Sequence, residues 1–120
     1  MLVLGSKLKV SDNSGALIVG LIKILGSHKY GIIGDFIVVS IKKWIPYKKV
    51  SKHEVWKALI IRQKFPFFRS NGIIIRFFEN CVVLITKKGD PVGTRIFGCI
   101  TYELRRKKYM KFIIICSSVI

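Results

Sequence analysis

The chain has 120 residues, enough for one compact domain and too few for a second. Lys and Arg number 22 against six Asp and Glu, a net charge of +16, yet 51% of the residues are apolar. Disordered basic tails combine high charge with low hydrophobicity, so a chain this apolar argues for a folded core. Its unbalanced charge argues for a polyanionic partner, with nucleic acid first and an anionic membrane surface second.

The expected elements follow in chain order. Lys7-Leu8-Lys9-Val10 alternates polar and apolar residues, as a half-buried strand does. Ser11-Asp12-Asn13-Ser14-Gly15 reads as a turn whose side chains bond their own backbone. Ala16 to Leu25 reads as a mostly buried strand, ended by a loop at Gly26–Gly31. Phe36 to Lys42 alternates again after the Gly34-Asp35 turn. Pro46 then confines Lys42–Lys49 to a strand end or sheet edge. Val55 to Arg62 is a further strand. Lys64 to Gly72 forms a long hairpin loop with Asn71-Gly72 as its turn signal. Ile73 to Phe77 and Cys81 to Thr86 follow as strands, and the Lys87–Pro91 turn closes the series. Short strands between turns point to an all-β barrel or sandwich. Only the stretch from Tyr102 to Lys108 reads as helical, with Thr101 as N-cap, a Glu103/Lys107 pair, and Arg105, Arg106, Lys107 and Lys108 toward its negative end.

The sequence offers little to catalysis. Asp12, Asp35, Glu54, Glu79, Asp90 and Glu103 are each isolated, which suits turn formers and partners of Lys or Arg better than an acid/base pair. His28 and His53 lie in separate loops with no Cys or acid at ligand spacing. No glycine-rich phosphate cradle occurs. No enzyme, cofactor or metal is therefore expected. Cys81, Cys99 and Cys116 fit neither a disulfide framework nor a metal knuckle and are read as buried thiols in a reducing compartment. MLVLGSKLKV lacks the features of a secretory signal, and a transit peptide should be Arg-rich whereas the first arginine is Arg62. The chain is therefore expected to start at its folded domain. Lys23, Lys29 and Lys42 interrupt the apolar first third, so no run approaches the ~18 to 20 residues that span a bilayer.

The basic residues, in contrast, are organised. Lys42, Lys43, Lys48, Lys49 and Lys52 surround Trp44 and Tyr47, and Lys64 and Arg69 bracket Phe65, Phe67 and Phe68. Lysine and arginine attract phosphates, while aromatic faces stack on unpaired bases. A face selected only for solubility would carry acids among these bases, and here they are missing. Of Phe67 and Phe68, adjacent on a strand, one is expected to point inward.

Several ordered segments resemble the universal large-subunit ribosomal protein fourteen family. They are VSDNSGA (10–16), IKILGSHKYGIIGD (22–35), VWKALIIR (55–62), GDPVGTRIFG (89–98) and ITYELRRKKYMKFI (100–113). A signature-like stretch runs from Ala58 to Leu84: ALII, nine residues, Asn71-Gly72, four residues, Phe77, two residues, Asn80, two residues, Val83-Leu84. The resemblance implies an all-β domain over residues 1–120: a small closed five-stranded β-barrel with a projecting β-ribbon and a short C-terminal helical segment, the bridge region being about 93–120. It implies a structural constituent of the large ribosomal subunit that binds large-subunit rRNA and bridges to small-subunit rRNA. It also implies contact with protein number nineteen of the large subunit and with the ribosome silencing factor. By position, Lys23, Lys42, Lys43, Lys48, Lys49, Arg62, Lys64, Arg69 and Arg76 become rRNA contacts. Thr94, Arg95, Arg105, Lys108 and Lys111 become bridge or silencing-factor contacts.

Two departures from the family pattern stand out. Trp44, Tyr47 and Trp56 replace smaller or polar residues, and Phe65-Pro66-Phe67-Phe68 replaces a basic, Gly-containing ribbon tip, so the tip is expected to pack on protein. The sequence contains 20 Ile and 16 Lys but only Ala16 and Ala58 as alanines. This bias points to an A/T-rich gene and so favours a mitochondrial ribosome, with plastid and bacterial ribosomes as alternatives. A free OB-like module for single-stranded nucleic acid is the alternative function.

Overall fold

The computed structural model describes residues 2–26, 29–46, 48, 50, 53–106 and 109–120. In chain order the strands are β1 (Lys7–Val10), β2 (Ala16–Ile24), β3 (Phe36–Trp44), β4 (Val55–Arg62), β5 (Phe67–Phe68), β6 (Ile74–Ile75), β7 (Cys81–Ile85) and β8 (Ile96–Ile100). Helices α1 (Tyr102–Arg106) and α2 (Met110–Ile114) and strand β9 (Cys116–Val119) complete the chain. Strands β1, β2, β3, β4 and β7 close a barrel in that order. Sequential neighbours pair antiparallel, and a parallel pairing of β1 with β7 closes the ring, with Lys9 opposite Cys81 and Val10 opposite Val82. The closed, sequential order differs from the partly open Greek-key barrel of OB type. The expected all-β barrel with a ribbon and a helical C-terminal segment is what the chain forms.

Alternation in the sequence becomes inside and outside of this barrel. Leu8 and Val10 of β1 are buried while Lys7 and Lys9 are exposed. Residues Ala58–Ile61 of β4 and all of β7 are buried. Successive strand residues point to opposite faces, so these two strands are covered on both sides. The buried cluster accordingly reaches beyond the barrel to Ile33, Val92, Leu104 and Phe112. Each fully buried Leu or Ile contributes about 1.5–3 kcal/mol relative to exposure.

Strand β2 departs from the expected mostly buried strand, because Leu17, Ile22 and Lys23 are exposed. Ala16 pairs with Trp44 but Ile18 with Lys43, so Leu17 is an extra residue, and a second shift between Leu21 and Lys23 makes Ile22 another. A bulged residue escapes the alternation of the pleat. The expected strand at Ile73–Phe77 shortens to β6, which pairs only with β5. Parallel strands β8 and β9 were not expected, since Gly98 interrupts the apolar run and the CSSV tail is polar. Of the cysteines, all free, only Cys81 is buried; Cys99 and Cys116 are half-buried because their sheet lies at the surface.

A turn at one end of the barrel and an aromatic cluster at the other fix the chain around it. The Asp12 carboxylate accepts the Ser14 backbone N–H (3.1 Å) and hydroxyl (2.6 Å) through one oxygen and the Leu84 N–H (3.2 Å) through the other. Gly15 has φ +108°, and the Ile45 N–H donates to its carbonyl at 2.7 Å. The Cβ of Lys48 lies 2.2 Å from where a Gly15 side chain would begin. At the other end Tyr109 sets its ring edge-on to Phe36 (centroids 5.3 Å) and Phe112 (6.2 Å), docking α2 on the start of β3.

Gly15→Ala combines a left-handed backbone with a clash against the root of Lys48, not its mobile end. It is expected to cost roughly 1–3 kcal/mol, measured by denaturant unfolding. Unchanged stability would show that the loop bearing Lys48 does not rest on Gly15.

Candidate nucleic-acid interface

The barrel spreads the lysines that adjoin one another in the sequence. Lys42 and Lys43 are both exposed at the end of β3. The Lys42 stem crosses Gly20 of β2, while Lys43 joins a groove beside β1. That groove, of about 640 Å³, is lined by Lys7, Lys9, Lys43 and Lys64 with Leu17 and Phe78. Lys23 and Lys48 are exposed elsewhere on the barrel. Arg76 is exposed and shares a smaller hollow with Lys64, Phe77 and Phe78. Tyr47, Lys49, Lys52, Lys107, Lys108 and His28 lie outside the described residues.

Two arginines carried over as rRNA contacts are engaged inside the protein. The Arg62 guanidinium donates to the Ser11 hydroxyl and, at 3.1 Å, to the Phe97 carbonyl. It crosses Gly98, where any side chain would start 2.0 Å from an Arg62 nitrogen. Arg69, at the tip of the β5–β6 ribbon, makes a two-pronged pair with Glu103 of α1 (2.7 and 3.1 Å) and donates to the Ile120 carbonyl at 2.8 Å. The ribbon is thus tied to the C-terminal segment. Glu103 therefore serves Arg69, and its expected helical partner Lys107 is among the residues not described. Phe67 packs against the core whereas Phe68 is 73% exposed, the inward and outward pair expected of adjacent strand residues.

The remaining carboxylates are likewise spoken for. Glu79 pairs with Lys9 (3.3 Å) and Asp90 with Lys111. Asp35 accepts the Ile32 N–H (3.0 Å) and Glu54 the Trp56 indole N–H (2.7 Å). Isolated acids thus act as turn formers and cation partners. The excess cations carry no matching acid.

Segment 93–98 is held against the first turn. The Asn13 carbonyl oxygen accepts the backbone N–H groups of Thr94 (2.8 Å) and Arg95 (3.3 Å), and its amide donates to the Thr94 hydroxyl (2.8 Å). Arg95 lies over the Phe97 ring, 5.4 Å from its centroid. The Lys111–Asp90 pair brings α2 to the loop leading into this segment. Arg105 is exposed on α1.

The family model described as ribosomal protein L14p/L23e matches residues 1–120. The chain belongs to that family. It is a ribosomal protein of the large subunit, a structural component in a non-enzymatic family. VSDNSGA and GTRIFG, far apart in this ribosomal chain, are the two sides of the Asn13 clamp. Sequence reading missed Lys7, Lys9, Leu17 and Phe78 as groove residues. The alternation at Lys7–Val10 already aimed both lysines outward, but nothing local signals the Leu17 bulge or the approach of the Phe78 loop.

Burial pushes the Glu103 carboxyl up, but its bonds to Arg69 and to backbone outweigh this, and its pKa falls below the ordinary value. A carboxylate with a lowered folded pKa stabilises the fold above its ordinary pKa, and the benefit is lost as pH falls through the folded value. Glu103→Gln is expected to lose about 1 kcal/mol at neutral pH. Its melting curves should converge with the wild type in acid; a constant gap across pH would remove the ion pair as the cause.

Proposed function

We propose that this ribosomal protein binds large-subunit rRNA through the lysine-bearing barrel faces and bridges to small-subunit rRNA through Thr94, Arg95, Arg105, Lys108 and Lys111. The observation that carries this reading is the distribution of charge. All six side-chain carboxylates are engaged within the fold, three of them by Lys or Arg among the described residues. Phosphates then supply the counter-charge that the protein lacks, an interaction that sets position more than base sequence.

Lys23, Lys42, Lys43, Lys48, Lys49, Lys64 and Arg76 are the proposed phosphate ligands. Arg62 and Arg69 serve instead to brace the surface, because Arg62 Nη2 is held by Ser11 and Phe97 and Arg69 Nε and Nη2 by Glu103 and Ile120. Arg95 suits a bridge: Asn13 fixes its backbone and Phe97 supports its planar head, which leaves a pre-oriented fork for phosphate. The family resemblance supports contact of this region with protein nineteen and with the silencing factor. The Ile and Lys bias supports a mitochondrial ribosome, with plastid or bacterial origin as the alternatives.

Arg95→Ala is expected to weaken joining of the two subunits roughly tenfold, the equivalent of one charge-assisted hydrogen bond. Incorporation into the large subunit should change little. Gradient sedimentation reads both quantities, and normal joining by the variant removes Arg95 from the bridge.

A further inference from the structure

Phe78 is the most exposed of the large apolar side chains described, at 92%. A single exposed phenyl is ordinary on a protein surface, but three features set this one apart. The first is the rigidity of its backbone. The Phe77 N–H donates to the Gln63 carbonyl (3.2 Å), the Asn80 side chain accepts the Lys64 N–H (2.8 Å), and the Asn80 carbonyl accepts the Lys9 N–H (3.0 Å). The loop carrying the ring is therefore pinned on both sides to β1 and to the chain leaving β4. The second is the charge of the groove it borders. Four lysines, Lys7, Lys9, Lys43 and Lys64, line it with one carboxylate, Glu79, which Lys9 already engages. The third is Leu17, which the β2 bulge turns outward into the same groove.

We propose that this groove holds an unpaired stretch of RNA, with one base stacked on Phe78 and the flanking phosphates on Lys43 and Lys64. The inference rests on the RNA-binding reading above and names the RNA feature that this face takes. A duplex buries its base faces and presents phosphates, 2′-hydroxyls and base edges, none of which stacks on a phenyl ring, so an exposed ring on a fixed backbone suits RNA where a base is free to stack. Charge decides between RNA and an apolar peptide. An apolar segment entering the groove would strip water from lysine ammonium groups without giving them a partner, whereas phosphates supply that partner.

The test uses the purified full chain with two fluorescent probes, a single-stranded oligouridine and a fully paired RNA hairpin capped by a non-nucleotide linker. Phe78→Ala and Phe78→Leu should each weaken oligouridine binding roughly tenfold or more. Phe78→Tyr should retain it, and hairpin binding should stay within twofold for all three. Lys64→Gln should flatten the salt dependence of oligouridine binding by about 0.7 in log K against log salt. Because Phe78 is exposed, unchanged melting of the variants confirms that binding alone is read. Equal oligouridine binding by all variants, or full activity of Phe78→Leu, overturns the stacking site while leaving RNA binding intact. Failure of the wild type to bind either probe overturns the RNA-binding reading itself. Loss of both probes in parallel shows a general electrostatic effect and also overturns the proposal.

Discussion

The path by which the chain leaves the barrel for its C-terminal part depends on a small polar clamp at the rim. Asp12 and Asn13 stand side by side in one turn and face different ways. Asp12 turns inward to hold its own turn and β7, while Asn13 turns outward to hold Thr94 and Arg95. Arg62 adds a third tie, from β4 across Gly98 to Phe97 and Ser11. The clamp has a cost. Burial lifts the Asp12 carboxyl above its ordinary pKa despite the bonds it accepts. Ionised Asp12 therefore detracts from stability, by an amount absent below its ordinary pKa and growing as pH rises to the folded value. A neighbouring cation would remove the penalty, but it would also compete for the carboxylate oxygens that organise the turn.

The electrostatics follow a division of labour. Acidic side chains are consumed in turns, clips and ion pairs that shape the protein, and the lysines are left to the solvent-facing side. Self-repulsion among so many cations opposes the compact state. The doubly covered β4 and β7 offset it by burying apolar residues on both faces. A polyanion bound from outside, as in the proposed function, would relieve that repulsion and stabilise the fold by mass action.

The sequence makes plain those features whose causes lie within a few residues. Lys7–Val10 shows its two faces, Asn71-Gly72 shows its turn, and Phe67-Phe68 shows that only one ring can enter the core. It does not show what depends on distant partners. Arg62 and Arg69 look like any other surface cations until Gly98 and Glu103 are brought beside them. The bulges at Leu17 and Ile22 arise from pairing with β3, so local alternation gives no sign of them. Strand β8 contains a glycine and β9 is polar, and each becomes a strand only because the other lies beside it. The groove was the least legible part of the proposed interface, since Lys7 and Lys9, then Lys43, then Lys64 and Phe78 come from three separate stretches of the sequence.

The seam that closes the barrel also governs when the interface comes into being. Lys9 and Glu79 are 70 positions apart, and the parallel pairing of β1 with β7 spans a similar length of chain. Pairings of such long range are the slow ones in folding. During synthesis β1 leaves the exit tunnel early and waits for its partner, so its lysines face a finished groove only after the Phe78 loop and β7 have emerged. Completion of the barrel thus sets the moment at which scattered charges acquire a common shaped surface.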